Sequence, residues 1–161
     1  SELGILYLAD FNKKVIMRTL KEYNLTFTEM YTTKPYIFIS ARHPLADRDL
    51  IRMEIWNLIV YLFEQGESNS FYFAEEVLST FQHKKSIRVT TGQHVFNLIL
   101  GLNGYTPSAG IYIGELGGGD LICKPLALDE TIHIGAIAMK DSVRSEIGRK
   151  YLEFLKKYLI E

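Results

Sequence analysis

Polar residues with side chains suited to holding a small molecule follow two apolar segments of the chain. One group follows the apolar segment 58–63 and the other lies at the start of a predicted helix; together they are Gln65, Gly66, Ser68, Asn69, Ser70, Thr90, Thr91, Gly92 and Gln93. In open α/β sheets, ligands bind outside the carboxyl ends of strands, and a helix N-terminus offers N–H groups to an anion. We therefore expect a site for a small polar or anionic molecule. An alternative stays open, in which Thr91 only caps the helix and the segment after residue 63 is a solvated turn.

Two other patterns do not predict a ligand site. The glycine-rich segment 117–120 has no lysine and precedes a predicted strand, whereas a phosphate-binding loop needs a lysine and a following helix. We interpret it as a turn. The four histidines show no pair at the i, i+4 spacing that places two metal ligands on one helix face; they are His43, His83, His94 and His133. The sequence therefore predicts no metal site and no cofactor.

The residue types of catalysis are present without the patterns that catalysis needs. Ser108 precedes a predicted strand, whereas a nucleophilic serine sits on a sharp strand-to-helix turn. Carboxylates such as Glu75 and Glu76 lie on charged helix faces, and Cys123 lies in an apolar segment typical of a small buried side chain. We therefore expect no catalytic residue and no enzymatic activity. A small hydrolase or transferase remains the alternative from another class, which turnover on a broad substrate panel would reveal.

The composition is that of one globular domain without a basic surface. The chain has 161 residues, 47% of them hydrophobic, and its 18 lysines and arginines nearly balance 19 aspartates and glutamates. Such a balance gives no summed positive field to attract nucleic acid. The apolar runs are too short to span a membrane, and no leader-like segment opens the sequence, so we expect a cytoplasmic domain.

Strand and helix patterns alternate along the chain. Strands are predicted over 3–8, 25–31, 36–40, 58–63, 86–90, 110–114, 121–126 and 131–138. Helices are predicted after a cap at Asp10 or Asn12, over 49–57, 71–82 and 92–102, and after a cap at Asp141 or Ser142. The last helix carries an apolar stripe of Val143, Ile147, Tyr151, Phe154, Leu155 and Tyr158. The alternation indicates an α/β fold with a largely parallel sheet.

Three segments in a fixed order resemble one known family. An apolar strand at 36–40 leads into His-Pro-Leu-Ala at 43–46 and a helix near Asp49. The segment 119–126 resembles a "glycine, hydrophobic pair, Pro-Leu" strand, and 132–139 precedes a helix with an "aromatic, X, aromatic-leucine" pattern at 151–155. Over nearly its whole length the chain resembles the effector-binding domain of LysR-type transcriptional regulators.

The resemblance implies a two-lobed fold like that of the type 2 periplasmic binding proteins, with an effector in the cleft between the lobes. It implies hinges near 40–43 and 139–141, so that the first lobe comprises about 1–40 plus 140–161 and the second about 41–139. Tyr7 and Leu8 would approach the cleft from the first lobe, opposite the two polar groups described above. DNA would be bound only by a separate helix-turn-helix domain.

Two departures from the family pattern modify these expectations. The segment 101–107 is longer and more polar than the family's Gly-Leu-Gly run, and the strand-helix-strand-helix stretch that opens the family's first lobe is absent. We therefore expect an incomplete first lobe, and self-association, as a dimer, that covers its sheet edge and involves the final helix. The expected function is effector sensing for a transcription regulator; a free-standing solute-binding protein is the alternative.

Overall fold

The computed structural model describes residues 2–52, 55, 57–63, 83–89, 92–111 and 119–160. In chain order the elements are β1 (Gly4–Ala9), α1 (Asp10–Glu22), β2 (Leu25–Thr33), β3 (Tyr36–Ser40), β4 (Val60–Phe63), β5 (Ser86–Val89), α2 (Gly92–Leu102), β6 (Thr106–Ser108), β7 (Leu121–Pro125), β8 (Ile132–Met139) and α3 (Glu146–Ile160). No helix in this described part is long and apolar enough to cross a membrane.

The chain divides into two compact units, and the boundaries differ from those expected. Unit 1 comprises residues 1–33 and 130–161, and unit 2 comprises 34–129. The resemblance placed the divisions near 40 and 140 instead. The difference arises because β8 forms hydrogen bonds with β1 and β2, which places it in unit 1, whereas β3 pairs with β6 and β7 in unit 2.

Unit 1 contains a three-stranded sheet in the order β1-β8-β2, with β8 antiparallel to both neighbours. Helix α1 joins β1 to β2 and buries Ile16 and Leu20 against Leu8 of β1. The helix begins at Asp10 and its N-cap is Ala9, so the expected caps Asp10 and Asn12 both lie inside its first turn. Asn12 Oδ1 accepts the Ala9 N–H at 3.0 Å from the third helical position.

Helix α3 begins at Glu146, and the expected caps Asp141 and Ser142 were wrong. Asp141 has φ +62°, outside the helical region, and the Ser142 hydroxyl donates back to the Met139 carbonyl at 2.8 Å. Ser145 is the cap that the structure shows, since its Oγ accepts the Gly148 N–H at 3.0 Å.

Unit 2 contains a sheet in the order β6-β3-β7, with both pairs antiparallel, and the parallel pair β4-β5. Helix α2 has the predicted bounds, and its buried Val95 and Ile99 form a core cluster with Val89 and Leu121. A second cluster includes Ile37, Ile39 and other fully buried side chains, namely Ile51, Ile55, Val60 and Tyr105. These two clusters support the strands that precede the predicted ligand-binding segments.

Two expected elements of unit 2 are replaced by others. The helix predicted from Asp49 does not begin there, because the buried Ile51 forms a parallel bridge with Leu126, its N–H donating to the Pro125 carbonyl at 2.9 Å. Strand β6 was not predicted, and Gly110 and Ile111, the first two residues of the strand predicted over 110–114, are not in a strand; Gly110 has φ +77°. The helix predicted over 71–82, and residues 112–114, lie outside the described residues.

The expectation of a largely parallel sheet was also wrong for the described strands. Four of their five strand pairs are antiparallel, and only β4 and β5 are parallel. Parallel neighbours need a crossover connection such as a helix. Strands β1 and β2 have one in α1 and run in the same direction, but the later strand β8 lies between them.

His43 of the His-Pro-Leu-Ala motif is a buried structural residue. Its Nδ1 accepts the Leu45 N–H at 3.0 Å, and its Nε2 lies 3.2 Å from the Asn103 carbonyl. Because Nδ1 accepts, Nε2 carries the proton and donates to that carbonyl. Burial lowers the pKa of His43 below its ordinary 6.5, which favours this neutral form. The motif therefore connects the segment after β3 to the end of α2.

Candidate functional site

Strands β4 and β5, which precede the two predicted ligand-binding segments in the sequence, end at the same edge of their parallel pair. Phe63, the last residue of β4, is the register partner of Val89, the last residue of β5. The carboxyl ends of both strands therefore lie side by side. This is the sheet edge at which open α/β folds bind ligands.

Helix α2 begins three residues after β5. Gly92 is its first residue and Gln93 its second, and its first turn contains no acidic side chain. Its N–H groups and the positive end of its dipole are thus not neutralised by a carboxylate of its own first turn, which suits an anionic group. The other predicted residues of this site, namely Gln65, Gly66, Ser68, Asn69, Ser70, Thr90 and Thr91, lie outside the described residues.

The two candidates in unit 1 have different environments. Leu8 is 1% exposed and packs in the core against α1. Tyr7 is partly buried and is the register partner of Ile134. Leu8 in turn is the register partner of His133, so these candidates lie next to a charged cluster that sequence patterns did not reveal.

This charged cluster comprises Asp10, Lys13, Glu29 and His133. His133 Nδ1 lies 2.6 Å from Glu29 Oε2, and Nε2 lies 3.1 Å from Asp10 Oδ1. A neutral imidazole has one N–H, so donation to both carboxylates requires the imidazolium. Lys13 Nζ lies 3.5 Å from Glu29 Oε2 and 3.3 Å from His133 Nδ1. The four side chains thus form one connected network.

The cluster joins three elements of unit 1. Asp10 is the first residue of α1, Glu29 lies on β2 and His133 on β8, and Asp10 Oδ2 also accepts the Thr131 N–H at 2.9 Å. The hydrogen bond from His133 is the main cause that lowers the pKa of both Asp10 and Glu29. These groups satisfy one another, so the cluster is a charged connection between elements. His133 is more than 100 residues away in the sequence from both Glu29 and Asp10, so only the pairing of the strands reveals the cluster.

The described residues offer no metal site, since no group of three or more histidine, cysteine or acidic side chains among them is arranged to hold an ion. Cys123 lies on β7, where burial raises the pKa of its thiol to about 11. At neutral pH the group is a thiol, which is a poor nucleophile and metal ligand compared with a thiolate.

Solved structures with a similar fold are LysR-family proteins. The PA01 protein from Pseudomonas aeruginosa, assigned to the LysR family of transcriptional regulators, matches 99% of the chain at 12% identity with a TM-score of 0.66, and the chain spans only 53% of its length. The effector-binding domain of QuiR in complex with shikimate matches 90% of the chain at 16% identity with a TM-score of 0.58. The chain covers 77% of that domain.

The reduced form of the OxyR regulatory domain from Pseudomonas aeruginosa gives a third comparison. It matches 98% of the chain at 15% identity with a TM-score of 0.63, and the chain covers 71% of it. No family model matches the sequence. No curated protein matches it either.

These comparisons establish the fold. The chain has the fold of LysR regulatory domains, which is the type 2 periplasmic-binding-protein-like fold, and it covers part of that fold. The sequence resemblance is thereby confirmed at the level of the fold. Two of these neighbours are described as an effector-binding domain and a regulatory domain.

Proposed function

We propose that the chain is the effector-sensing domain of a LysR-type transcriptional regulator and that it binds a small polar or anionic molecule. The observation that supports this proposal is the register partnership of Phe63 and Val89, because the two strands that precede the predicted ligand-binding segments end at one sheet edge. The N-terminus of α2, free of acidic residues in its first turn, adds a feature that favours an anion. The shikimate complex of QuiR shows that a domain of this fold holds a small carboxylate-bearing ligand.

The residues that we propose for effector contact are those predicted from the sequence. They are Tyr7, Leu8, Gln65, Gly66, Ser68, Asn69, Thr90, Thr91, Gly92 and Gln93. Hydroxyl, amide and main-chain N–H groups dominate this set, and such groups orient a polar ligand without committing a charge of their own.

The regulatory role follows from the same proposal. Effector binding shifts the population of two domain arrangements and so changes DNA binding by a separate helix-turn-helix domain. The near balance of 18 basic and 19 acidic residues agrees with a domain that does not bind DNA itself. We propose a cytoplasmic location and a homo-oligomer, a dimer, for this regulator.

Oxidation of a thiol is not supported as the signal. The neighbours include OxyR domains in reduced and oxidised forms, but the chain has one cysteine, whose burial keeps it protonated. Thiol oxidation proceeds through the thiolate, which the burial of Cys123 disfavours. Reversible binding of an effector therefore fits this chain better.

Replacing Thr91 with Val tests the site. Loss of the hydroxyl while volume is kept should weaken effector binding by roughly 1 kcal/mol, about a fivefold rise in Kd, with little change in thermal stability. A thermal-shift screen of small carboxylates and sugar acids identifies a ligand, and titration calorimetry then measures its Kd for both proteins. The ligand is recovered afterwards to check that it has not been converted. Thr32→Val, on an exposed position of β2, is the matched control.

A helix-capping role for Thr91 predicts the opposite pattern. The variant would then lose about 1 kcal/mol of stability while its Kd for the effector stayed constant. If the chain converted the bound ligand into a product, it would be an enzyme, and the proposed sensing function would be contradicted.

A further inference from the structure

The buried imidazole of His43 joins two segments of unit 2. The residue is 4% exposed, its Nδ1 accepts the Leu45 N–H at 3.0 Å, and its Nε2 donates to the Asn103 carbonyl at 3.2 Å. Its main chain is bonded as well, since its N–H donates to the Ser40 carbonyl at 2.9 Å and its carbonyl accepts the Ala46 N–H at 2.8 Å. We call the two bonds of the imidazole the His43 link.

The Asn103 carbonyl lies where helix α2 ends. Asn103 directly follows Leu102, the last residue of α2, and its φ of +51° is the left-handed conformation that commonly ends a helix. The chain then runs through the buried Tyr105 into β6, which pairs with β3. Because β3 in turn leads to His43, the His43 link closes a loop that connects the end of α2 to the central strand of the β6-β3-β7 sheet.

Only the neutral imidazole fits these contacts. Nδ1 must be unprotonated to accept the Leu45 N–H, and the imidazolium would place a second N–H against that donor. Burial also disfavours the charge and is the main cause that lowers the pKa of His43 below 6.5. The bond to the Asn103 carbonyl, which the imidazolium can keep, is a weaker cause and raises the pKa. Protonation therefore breaks one bond and leaves a charge buried.

No carboxylate in the described part of the chain forms an ion pair or hydrogen bond with His43. Strands β3 and β6 carry no charged side chain, and the one titratable group of α2 is His94, about 13 Å along the helix from Asn103. The charged side chains of the turn after β3 are all exposed; they are Arg42, which pairs with Asp120 at 3.8 Å, Asp47 and Arg48. The protein thus supplies no counter-ion that would hold an imidazolium in this position.

We infer that the His43 link is an acid-sensitive connection, which opens when His43 takes up a proton and then frees the end of α2 from the turn after β3. The inference goes beyond the proposed function and holds whether or not an effector is bound. The unfolded chain binds the proton more tightly, so the stabilisation is complete above about pH 6.5 and is lost as the pH falls through the lowered pKa. Opening takes up one proton, so its equilibrium constant rises by up to about tenfold per pH unit in this range. A regulator with this link responds to mild acid as well as to its effector.

Amide hydrogen exchange of the chain without ligand, measured by NMR as protection factors, tests the inference. Protection of the Leu45 N–H, which bonds to Nδ1, should fall roughly three- to tenfold between about pH 7 and about pH 5. The Leu126 N–H, which donates to the Pro35 carbonyl just before β3, is the internal control and should keep its protection. The same spectra report the titration of the His43 ring, whose midpoint should lie below 6.5.

Replacing His43 with Gln separates an acid response from a purely structural role. Glutamine does not titrate, so the fall in Leu45 protection between neutral and mildly acidic pH should disappear in His43→Gln. His94→Gln, at an exposed position of α2, is the matched control and should keep the wild-type response. The two carboxylates of the charged cluster do not interfere, because their pKa values lie below 3.8 and 4.5.

Three outcomes would overturn the inference: a His43 midpoint at or above 6.5, Leu45 protection that is constant over the pH range, or a wild-type response in His43→Gln. If His43→Gln does not fold, the ring titration and the exchange of the wild-type chain decide the question. No ligand enters these measurements, and the Thr91→Val titration tests effector binding separately. Failure of the acid response and failure of the sensing function therefore give different results.

Discussion

Gly135→Ala should destabilise unit 1 by at least about 3 kcal/mol, the largest effect that we expect from a single methyl group. Gly135 is buried on β8, the central strand of the unit 1 sheet. A Cβ at this position would lie 2.5 Å from the ring atoms Cε2 and Cζ of Phe27 and 2.5 Å from the Thr28 carbonyl oxygen. The Phe27 ring has some freedom to move, but the Thr28 carbonyl belongs to the main chain of β2, so relief requires the β2-β8 ladder to shift.

Urea unfolding followed by circular dichroism measures this effect. Gly101→Ala is the matched control, because Gly101 lies within α2 and a Cβ there meets no atom within 4 Å. That variant should be more stable than the wild type by up to about 1 kcal/mol, since alanine favours the helix. If Gly135→Ala unfolds at the wild-type urea concentration, the close approach of β2 and β8 is wrong.

His133→Leu should lower the free energy of unfolding at neutral pH by about 2 kcal/mol, because the carboxylates of Asp10 and Glu29 lose the side chain that they share as a hydrogen-bond partner. The expected loss is smaller than for a fully buried pair, since the side chains of Asp10 and Glu29 are about half exposed to water and screening. His94→Leu is the matched control, as His94 is exposed on α2. Its stability should stay within about 0.5 kcal/mol of the wild type.

The same variant should change the acid dependence of stability. The pKa values of Asp10 and Glu29 are lowered in the folded chain from their ordinary 3.8 and 4.5, with His133 as the main cause and Lys13 and Thr131 contributing. The unfolded chain therefore binds more protons, so this stabilisation is present above the ordinary values and is lost as the pH falls through the lowered ones. In His133→Leu the free energy of unfolding should fall less between neutral and acidic pH than it does in the wild type. An identical pH profile would show that His133 does not set these pKa values.

The sequence predicted the bounds of an element correctly where a periodic apolar pattern ended at a residue that stops a helix or strand. Strand β3 and helix α2 have the expected bounds, since proline limits the first and the spacing of Val95 and Ile99 defines the second. The start of α3 was missed because three polar residues, Asp141, Ser142 and Ser145, are all good caps. Only the backbone angle of Asp141 and the hydrogen bonds of the two serines distinguish among them.

Long-range pairing was beyond sequence patterns. The placement of β8 between β1 and β2, the bridge at Ile51 and the His133 cluster all join residues that are far apart in the chain. Local propensity carries no information on such partners. For the candidate site, the sequence indicated two segments that each follow a strand. It could not show that both strands end at the same sheet edge, which the register of Phe63 with Val89 shows.

The central proposal is that this chain senses an effector for a LysR-type regulator. Determining the coding sequence that precedes the codon of Ser1, from the transcript of the source organism, tests it most directly. We predict that it encodes the remaining strands and helices of the first lobe and, before them, a winged helix-turn-helix domain with a linker helix. A secretory signal peptide in that position would contradict the proposal and indicate a free-standing solute-binding protein, and a catalytic domain there would contradict it as well.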